Sequence, residues 1–188
     1  MSKFKTKPAM IAATLSLFLA STGTFAADAN EAKEESKAQW SVDEPQGEFH
    51  TVKINVDQGT WMNVDISPDG ESIVFDLLGD IYIMDADGGK AKALTSDIAW
   101  QMQPRFSPDG KHIAFTSDQG GGDNIWVMNV DGSEQTAVTN ETFRLINSPA
   151  WSPDSNYIVA RKHFTGTRSL GAGEVWMYHK TGGSGMML

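Results

Sequence analysis

A four-residue turn motif recurs along this sequence at intervals of about 40 to 45 residues. It reads Ser-Pro-Asp-Gly at Ser67–Gly70 and Ser107–Gly110, and Ser-Pro-Asp-Ser at Ser152–Ser155. Each copy lies inside the same longer pattern, in which short apolar runs alternate with Gly, Asp and Asn. A self-similar period of this size is typical of propellers, solenoids and other repeat arrays. The chain is therefore predicted to be a repeat protein.

The motif has the chemistry of a tight turn between two strands. Proline presets φ at the second position of a type I turn, aspartate tolerates the third, and glycine takes the following left-handed position without a Cβ clash. Ser155 stands where the first two copies have glycine. A left-handed serine costs about 1 kcal/mol, so the sequence predicts that Ser155→Gly stabilises the fold.

Each repeat contains four short runs rich in Ile, Val, Phe, Trp and Tyr, which is the signature of strands joined by hairpins. Four antiparallel strands in every repeat of this length form one propeller blade. The sequence therefore predicts an all-β fold, a partial β-propeller of three four-stranded antiparallel blades. The predicted strands are Trp61–Ser67, Ser72–Leu78, Asp80–Asp85 and Ala91–Thr95 in the first blade, Gln103–Ser107, His112–Thr116, Asn124–Asn129 and Gln135–Thr139 in the second, and Ser148–Ser152, Tyr157–Phe164, Glu174–Lys180 and Gly185–Leu188 in the third.

Three blades are fewer than the four to eight that propellers usually have. Two interpretations remain: the chain is the N-terminal fragment of a longer protein, or it closes by self-association. We favour the fragment, because Gly185–Leu188 ends in the middle of the pattern without a polar cap, and an uncovered edge strand invites aggregation. Thr51–Val56 alternates like an outermost strand, and we expect it to complete a last blade that this chain lacks.

The N-terminal residues have the composition of an export signal. Lys3, Lys5 and Lys7 are followed by an apolar stretch, Ala9–Ala20, and by small residues at Thr24–Ala26. This predicts a cleaved signal peptide at residues 1–26 and a periplasmic or secreted protein. Residues 27–48 are charged and poor in large apolar side chains, which predicts a flexible lead-in. The propeller blades are then expected at residues 49–188.

Charge and cysteine content exclude several classes of function. The chain has a formal net charge of −9, and loss of the signal peptide with its three lysines and no acidic residue would bring this to −12. Such a protein is a poor binder of nucleic acids and of anionic membranes, and no membrane span is expected after signal cleavage. The absence of cysteine excludes disulfides, thiol chemistry and cysteine-bound metals in this chain.

The repeat resembles a known family. Its Ser-Pro-Asp-Gly turn, a second strand ending in phenylalanine (SIVF, HIAF), a third strand such as NIWVMN and a closing Leu-Thr or Val-Thr are similar to the TolB-type β-propeller repeat of exported bacterial proteins. The stretches FDLLGDIY and RKHFTGTRSLGAGE most resemble the N-terminal propeller of exported proteins in which a metal-dependent amidohydrolase domain follows the propeller. The resemblance covers nearly all of the chain from Trp61 onwards.

No catalytic or metal-binding residues are predicted in this chain. The resemblance implies a divalent metal such as zinc, but in a C-terminal domain that is absent here. Such a site needs a His-x-His pair, and His50, His112, His163 and His179 are far apart. A serine peptidase needs Gly-x-Ser-x-Gly, and neither Ser169 nor Ser184 has glycines at both positions.

One binding face is predicted from the loops. The connection at about Phe164–Gly173 is longer than its counterparts in the other repeats, and binding sites concentrate on loops. In a propeller, this connection shares a face with the links between blades. The hypothesis is that Trp100, Arg144, His163 and Arg168 line one face that docks a partner domain or an anionic ligand. The alternative is that basic residues such as Arg161 and Arg168 only pair with neighbouring acids such as Glu174.

Three functions fit these observations. The first is the propeller part of an exported amidohydrolase-type hydrolase, acting as scaffold, substrate gate or docking domain, with the C-terminal catalytic domain of the same polypeptide as its partner. The second is a non-enzymatic binding propeller of the TolB (Tol-Pal) kind, with envelope proteins as partners. The third is the propeller of a serine peptidase. Fold alone does not choose among them.

Overall fold

A computed structural model describes residues 41–42, 44–45, 47–48, 50–165 and 172–188. Within these ranges the regular elements are strands alone, which confirms the predicted all-β class. The strands are β1 Val64–Ile66, β2 Ser72–Leu77, β3 Asp80–Asp85, β4 Lys92–Ala93, β5 Gln101–Phe106, β6 His112–Ser117, β7 Asn124–Asn129, β8 Thr136–Ala137, β9 Ile146–Trp151, β10 Tyr157–His163, β11 Gly173–His179 and β12 Met186–Met187. Helices of the length and hydropathy needed to cross a membrane do not occur in these ranges. The predicted signal peptide lies outside the described residues.

The strands form three antiparallel sheets in chain order, β1 to β4 (blade 1), β5 to β8 (blade 2) and β9 to β12 (blade 3). The first strands of neighbouring blades contact each other, β1 with β5 and β5 with β9. The first strand of each blade is therefore innermost and the fourth is outermost. This radial stacking of sheets confirms the predicted three blades of a partial β-propeller.

The innermost strands of blades 2 and 3 begin two residues earlier than predicted, at Gln101 and Ile146. Gln103 and Ser148 each precede a proline and have φ of 57°, and the strand pairing shifts register around both. These are β-bulges, which bend a strand without ending it. A bulge breaks the alternation of apolar residues, so the sequence pattern reveals only the part of the strand that follows it.

The recurring turn has the predicted geometry. In the first copy, Gly70 N donates to Ser67 O (2.8 Å) and Gly70 has φ of 76°. The Ser67 hydroxyl accepts a hydrogen bond from Ser72 N (2.9 Å) and donates one to Asp69 Oδ1 (2.5 Å). The same relay through the serine hydroxyl occurs in the other two copies. The first serine of the motif therefore links the carboxylate of the turn to the start of the second strand.

The second recurring turn joins the third and fourth strands. Its closing hydrogen bonds run from Gly88 N to Asp85 O and from Gly132 N to Asn129 O. In blade 3, Gly182 N donates to His179 O (2.8 Å), so the equivalent turn begins at His179.

Ser155 has φ of 58°, which confirms the predicted left-handed conformation. The serine is buried, however, and its hydroxyl oxygen accepts a hydrogen bond from Asp109 N (3.0 Å) in blade 2. Glycine would relieve the backbone strain but lose this contact between blades. The loss of this contact opposes the predicted stabilisation by Ser155→Gly with an effect of similar size, and the stabilisation itself stays a prediction.

Two apolar cores fill the spaces between blades, and blade 2 contributes one face to each. Between blades 1 and 2 the core consists of Val74, Ile81, Phe106, Ile113, Phe115 and Met128. Between blades 2 and 3 it consists of Ala114, Ile125, Val127, Val138, Ile146, Ile158, Ala160 and Tyr178. Because side chains alternate along a strand, neighbouring residues of β6 such as Ala114 and Phe115 face opposite cores. No blade buries its apolar residues without its neighbours, as expected for a repeat fold.

Hydrogen bonds near the innermost strands join each blade to the next. The buried Asp76 carboxylate of blade 1 accepts three, from Asn63 N (2.8 Å), Asn63 Nδ2 (2.7 Å) and Gln103 N (2.7 Å). Gln103 Oε1 of blade 2 in turn accepts from Ser148 N (2.8 Å) of blade 3. At both junctions a side-chain oxygen of one blade therefore holds the bulged main chain of the following blade.

The outward faces of blades 1 and 3 are open. In blade 1, Val64 and Ile66 of β1 are exposed, and in blade 3 so is Val175 of β11. Thr51–Val56, predicted to behave as an outermost strand, forms no strand here and its residues are exposed. A strand requires a partner to satisfy its backbone groups, and none of the described strands lies beside this segment.

Candidate docking face

The two ends of the blades differ in the connections they carry. In an antiparallel meander, the connection between second and third strands lies at the same end as the links between blades. We call this the upper end. It carries Leu78–Gly79, Asp118–Asp123 and the link residues 96–100 and 140–145. The opposite end, the turn end, carries the Ser-Pro-Asp turns and the glycine turns.

The structure places three of the four predicted binding residues, and their environments differ. Trp100 is exposed on its link and Arg144 is half-buried on the next one. His163 is only 3% exposed, and its Nε2 lies 3.2 Å from Asn147 Oδ1. Arg168 lies outside the described residues. Trp100 and Arg144 are thus at the upper end as predicted, whereas the His163 side chain is in the interior beside the innermost strand. The docking role of the four residues stays a prediction.

Arg144 is held by its neighbours. Its Nη1 donates to Glu174 Oε2 (3.2 Å), and its guanidinium lies 5.9 Å from the centre of the Phe164 ring. Trp176 Nε1 donates to the same Glu174 oxygen (2.8 Å). Glu174 was predicted as the partner of a basic residue, but that partner is Arg144. The pair leaves little positive charge available to an anionic ligand.

Lys162 is neutralised in the same way. It is 8% exposed, forms an ion pair with Glu141 and lies 4.3 Å from the centre of the Trp176 ring. Lys162 and Glu174 both contact Trp176, and each of them is paired with a residue of opposite charge. Cation–π contacts of this kind are strengthened by burial, so the network is expected to fix this half of the upper end.

Tyr178 lies beneath this network in the core between blades 2 and 3. Burial, the main cause, raises the pKa of its hydroxyl to about 12, with the charges of Glu141 and Glu174 also raising it and that of Arg144 lowering it. The phenol is therefore neutral near pH 7. It acts as a core residue rather than as an acid or base in that range.

The surroundings of Trp100 were not foreseen from the sequence. Trp100 N donates to Asp118 Oδ1 (2.7 Å), and Gln101 N donates to Gly79 O (2.8 Å). The indole covers Gly79, where an added Cβ would lie 3.0 Å from Trp100 Cε3. The signal in the sequence is the glycine of the short Leu78–Gly79 turn, because only a residue without a Cβ lets an aromatic ring come this close to its backbone.

Acidic side chains surround the Trp100 link. Gln101 Nε2 donates to both carboxylate oxygens of Asp97 (2.9 Å each). Burial, the main cause, raises the pKa of Asp80, the charge of Asp97 raises it further, and a hydrogen bond from Thr95 opposes both. Carboxylates thus lie close together at this junction of blades 1 and 2. Across the residues that the structure describes, no group of three or more His, Cys, Asp or Glu is placed to hold a metal ion.

Two clefts between blades lie at the turn end. One, of about 310 Å³, separates blades 2 and 3 and is lined by His112, Glu134, Thr136 and Lys180 among others. The other, of about 210 Å³, lies between the first two Ser-Pro-Asp turns. The upper end, in contrast, is shaped by exposed side chains. Its described residues offer apolar, aromatic and paired charged side chains, among them Ile98, Trp100 and Arg144.

The stacked blades define an open β-propeller. Residues 58–185 match the family described as the Tricorn protease N-terminal beta propeller domain, and the chain belongs to this family. The resemblance to TolB-type propellers is also confirmed. A TolB homolog of Chlorobaculum tepidum is 33% identical over 91 residues, which are 48% of this chain and 20% of that protein.

Two further proteins illustrate the range of relatives. The uncharacterized peptidase YuxL of Bacillus subtilis is 33% identical over 95 residues, or 50% of this chain and 13% of the peptidase. The crystal structure of TolB from Acinetobacter baumannii superposes with a TM-score of 0.58 and 26% identity, covering 70% of this chain and 33% of that one. The chain thus spans less than a third of the length of the curated relatives it matches.

Proposed function

We propose that this chain is the propeller part of an exported hydrolase, most similar to those with a metal-dependent amidohydrolase domain, and that it serves as scaffold, substrate gate or docking domain. The observation that carries the proposal is membership of a family named for the N-terminal propeller of a protease. The match to a much longer peptidase supports the broader part of the proposal, a propeller that belongs to a hydrolase. The catalytic groups and any divalent metal such as zinc would then belong to a C-terminal domain of the same polypeptide.

The decisive experiment is to extend the reading frame beyond Leu188 and to express the complete protein. A downstream His-x-His pair with amidase activity that is lost on its substitution supports the proposal. A downstream Gly-x-Ser-x-Gly would instead assign the propeller to a serine peptidase, the function that the YuxL match favours. Remaining blades followed by a stop codon would overturn both hydrolase proposals.

A second candidate is a non-enzymatic propeller that binds envelope proteins. The similarity to the TolB homolog and to the TolB crystal structure favours it. It predicts that the complete protein, purified from the cell envelope after mild crosslinking, carries other envelope proteins and shows no hydrolysis of amide or peptide substrates. Crosslinks confined to a catalytic domain of the same chain would argue against this candidate.

The proposed docking face is tested by charge reversal. Arg144→Glu and Arg168→Glu, alone and combined, are expected to weaken attachment of the catalytic domain or partner to the propeller. Lys90→Glu is the matched control, because Lys90 is exposed in a glycine turn at the turn end. Unchanged attachment and activity in the double variant would dismiss the face.

Export to the periplasm or the medium is part of the proposal and rests on residues 1–26. Fusion of these residues to a reporter enzyme that needs disulfides for activity should give active reporter, since such bonds form only outside the cytoplasm. Replacing Lys3, Lys5 and Lys7 by glutamate should abolish the reporter activity. Equal reporter activity for both fusions would show that residues 1–26 are not an export signal.

A further inference from the structure

We propose that the Trp100 platform binds an arginine- or lysine-bearing apolar segment of a partner polypeptide. The platform consists of Leu78, Gly79, Ile98, Trp100 and Asp118, at the upper end where blades 1 and 2 meet. The inference deepens the proposed docking function and rests on it. For this half of the docking face, the proposed ligand is cationic rather than anionic.

Trp100 is held in place before any partner arrives. One side of its indole covers Gly79, which is buried as a result, and its main-chain amide is fixed by Asp118 Oδ1 at 2.7 Å. The residue is nevertheless 49% exposed, so the opposite part of the ring is open to solvent. A preformed aromatic surface loses little conformational entropy on binding.

Exposed apolar side chains lie on the Trp100 link and on the turn that the indole covers. Leu78 is 63% exposed and Ile98 is 54% exposed. The described connections at the turn end expose no large apolar side chain, although Tyr157 and Met186 are exposed where β10 and β12 begin. A cluster of exposed apolar residues at one end of a repeat fold marks an interaction surface rather than a random distribution.

The charge at this platform is negative. Neither Asp80 nor Asp118 makes an ion pair with any described lysine or arginine. On the other half of the upper end, Glu141 and Glu174 are neutralised by Lys162 and Arg144. Asp80 and Asp118, which make no ion pair with a described lysine or arginine, are thus on the half that carries the exposed Trp100 ring.

An aromatic face beside carboxylates is suited to an organic cation. The ring quadrupole attracts a guanidinium or ammonium, the carboxylates add charge complementarity, and the apolar rim accepts the methylene stem of the side chain. Leu78 and Ile98 offer no hydrogen bonds, which disfavours a sugar. A basic and apolar polypeptide segment is thus the occupant that all three features fit.

The test uses the 188-residue chain and a fluorescein-labelled octapeptide of alternating arginine and leucine, followed by fluorescence anisotropy. We expect saturable binding that weakens as salt is raised. Trp100→Ala should weaken it about five- to thirty-fold, the range of a desolvated cation–π contact. Asp118→Asn keeps an oxygen to accept from Trp100 N but removes the charge, so it should weaken binding and reduce its salt dependence without disturbing the ring.

Two controls distinguish binding at the Trp100 platform from nonspecific binding. Tyr157→Ala removes an exposed aromatic residue at the turn end and should leave peptide binding unchanged. A peptide of alternating glutamate and leucine should not bind. Equal affinity of wild type and Trp100→Ala for the arginine peptide would overturn the inference. So would Trp100-dependent binding of cellohexaose, a neutral oligosaccharide, without binding of the peptide.

The outcome is independent of the catalytic assignment. The peptide assay needs only this chain, whereas the hydrolase proposal is decided by the residues encoded after Leu188. Loss of peptide binding in Trp100→Ala together with a downstream stop codon would support the platform and overturn the hydrolase. Unchanged peptide binding in Trp100→Ala together with a downstream catalytic motif would overturn the platform and support the hydrolase.

Discussion

The effect of Ser155 on stability is a balance at a single residue. Ser155→Gly relieves a left-handed strain of about 1 kcal/mol but removes the hydrogen bond from Asp109 N, worth about 0.5–1.5 kcal/mol. We expect its free energy of unfolding to stay within about 0.5 kcal/mol of wild type. Ser155→Ala loses the bond and keeps the strain, so it should be about 1 kcal/mol less stable.

Urea denaturation of the three proteins measures both effects. The difference between the glycine and alanine variants reports the strain, and the difference between wild type and alanine reports the bond. A glycine variant clearly more stable than wild type would show that the contact between Ser155 and Asp109 contributes nothing.

A second prediction at the scale of a single residue concerns Asp76. Its carboxylate accepts hydrogen bonds from Asn63 N, Asn63 Nδ2 and Gln103 N, all within 2.8 Å. Asp76→Asn is nearly isosteric but turns one acceptor into a donor, so at least one of these donors loses its acceptor. We expect a loss of about 1–3 kcal/mol in the free energy of unfolding. Asp85→Asn, which removes the same charge at an exposed position, should cost less than about 0.5 kcal/mol. Equal urea midpoints for Asp76→Asn and wild type would contradict the prediction.

At the scale of elements, the Ser-Pro-Asp turns predict a dependence of stability on pH. Hydrogen bonds from Ser67 and Glu71 N lower the pKa of Asp69, and those from Ser152 and Asn156 lower that of Asp154. A carboxyl whose folded pKa is lowered adds stability above its unfolded pKa of about 3.9, and that stability is lost as pH falls through the folded pKa. Acid should therefore weaken the turns.

The double variant Asp69→Asn/Asp154→Asn tests this. Asparagine keeps an oxygen to accept from the serine hydroxyl and from the main-chain amide, but it does not titrate in this range. At position 154 it loses the bond from Asn156 Nδ2 to the second oxygen. Its midpoint in urea should change less than that of wild type between pH 5 and pH 3. Parallel pH profiles for the two proteins would show that these carboxylates do not contribute to acid sensitivity.

The strand bounds show which parts of the secondary structure the sequence pattern can predict. The third strands of blades 1 and 2 have the predicted bounds, Asp80–Asp85 and Asn124–Asn129, because each is an unbroken run of four large apolar residues between two Asp or two Asn residues. The innermost strands were only partly foreseen, since Gln103-Pro104 and Ser148-Pro149 form bulges that no alternation reveals. The fourth strands are two residues each, shorter than predicted, because only a short stretch pairs with the third strand before the chain leaves the sheet.

At the scale of the whole molecule, the open flanks predict self-association of the isolated chain. Val64 and Ile66 on blade 1 are exposed by 59% and 56%, and apolar faces of this kind promote association. Ile66→Lys should shift the chain towards monomer in size-exclusion chromatography with light scattering at several concentrations. Ala86→Lys adds the same charge in an exposed turn and should have no effect. A wild-type chain that is monomeric at all concentrations would contradict this.

The candidate site could be placed from the sequence only to the level of an end of the propeller. The repeat assigns Trp100 and Arg144 to links between blades, and this follows from antiparallel connectivity alone. Pairing and burial depend on residues distant in sequence, such as Glu174 for Arg144 and Asn147 for His163. No local pattern contains this information. The stacking of Trp100 on Gly79 likewise depends on how two repeats meet.

The hydrogen bonds from Gln103 N to Asp76 and from Ser148 N to Gln103 have a consequence for how such molecules gain repeats. In both, the donor is a main-chain amide at the equivalent bulge, which every copy of the unit possesses. The acceptor is a side-chain oxygen of the preceding blade, on its second strand for Asp76 and on its first for Gln103. A gene segment duplicated in tandem therefore brings the donor with it, and the acceptor can be a carboxylate or an amide at more than one position.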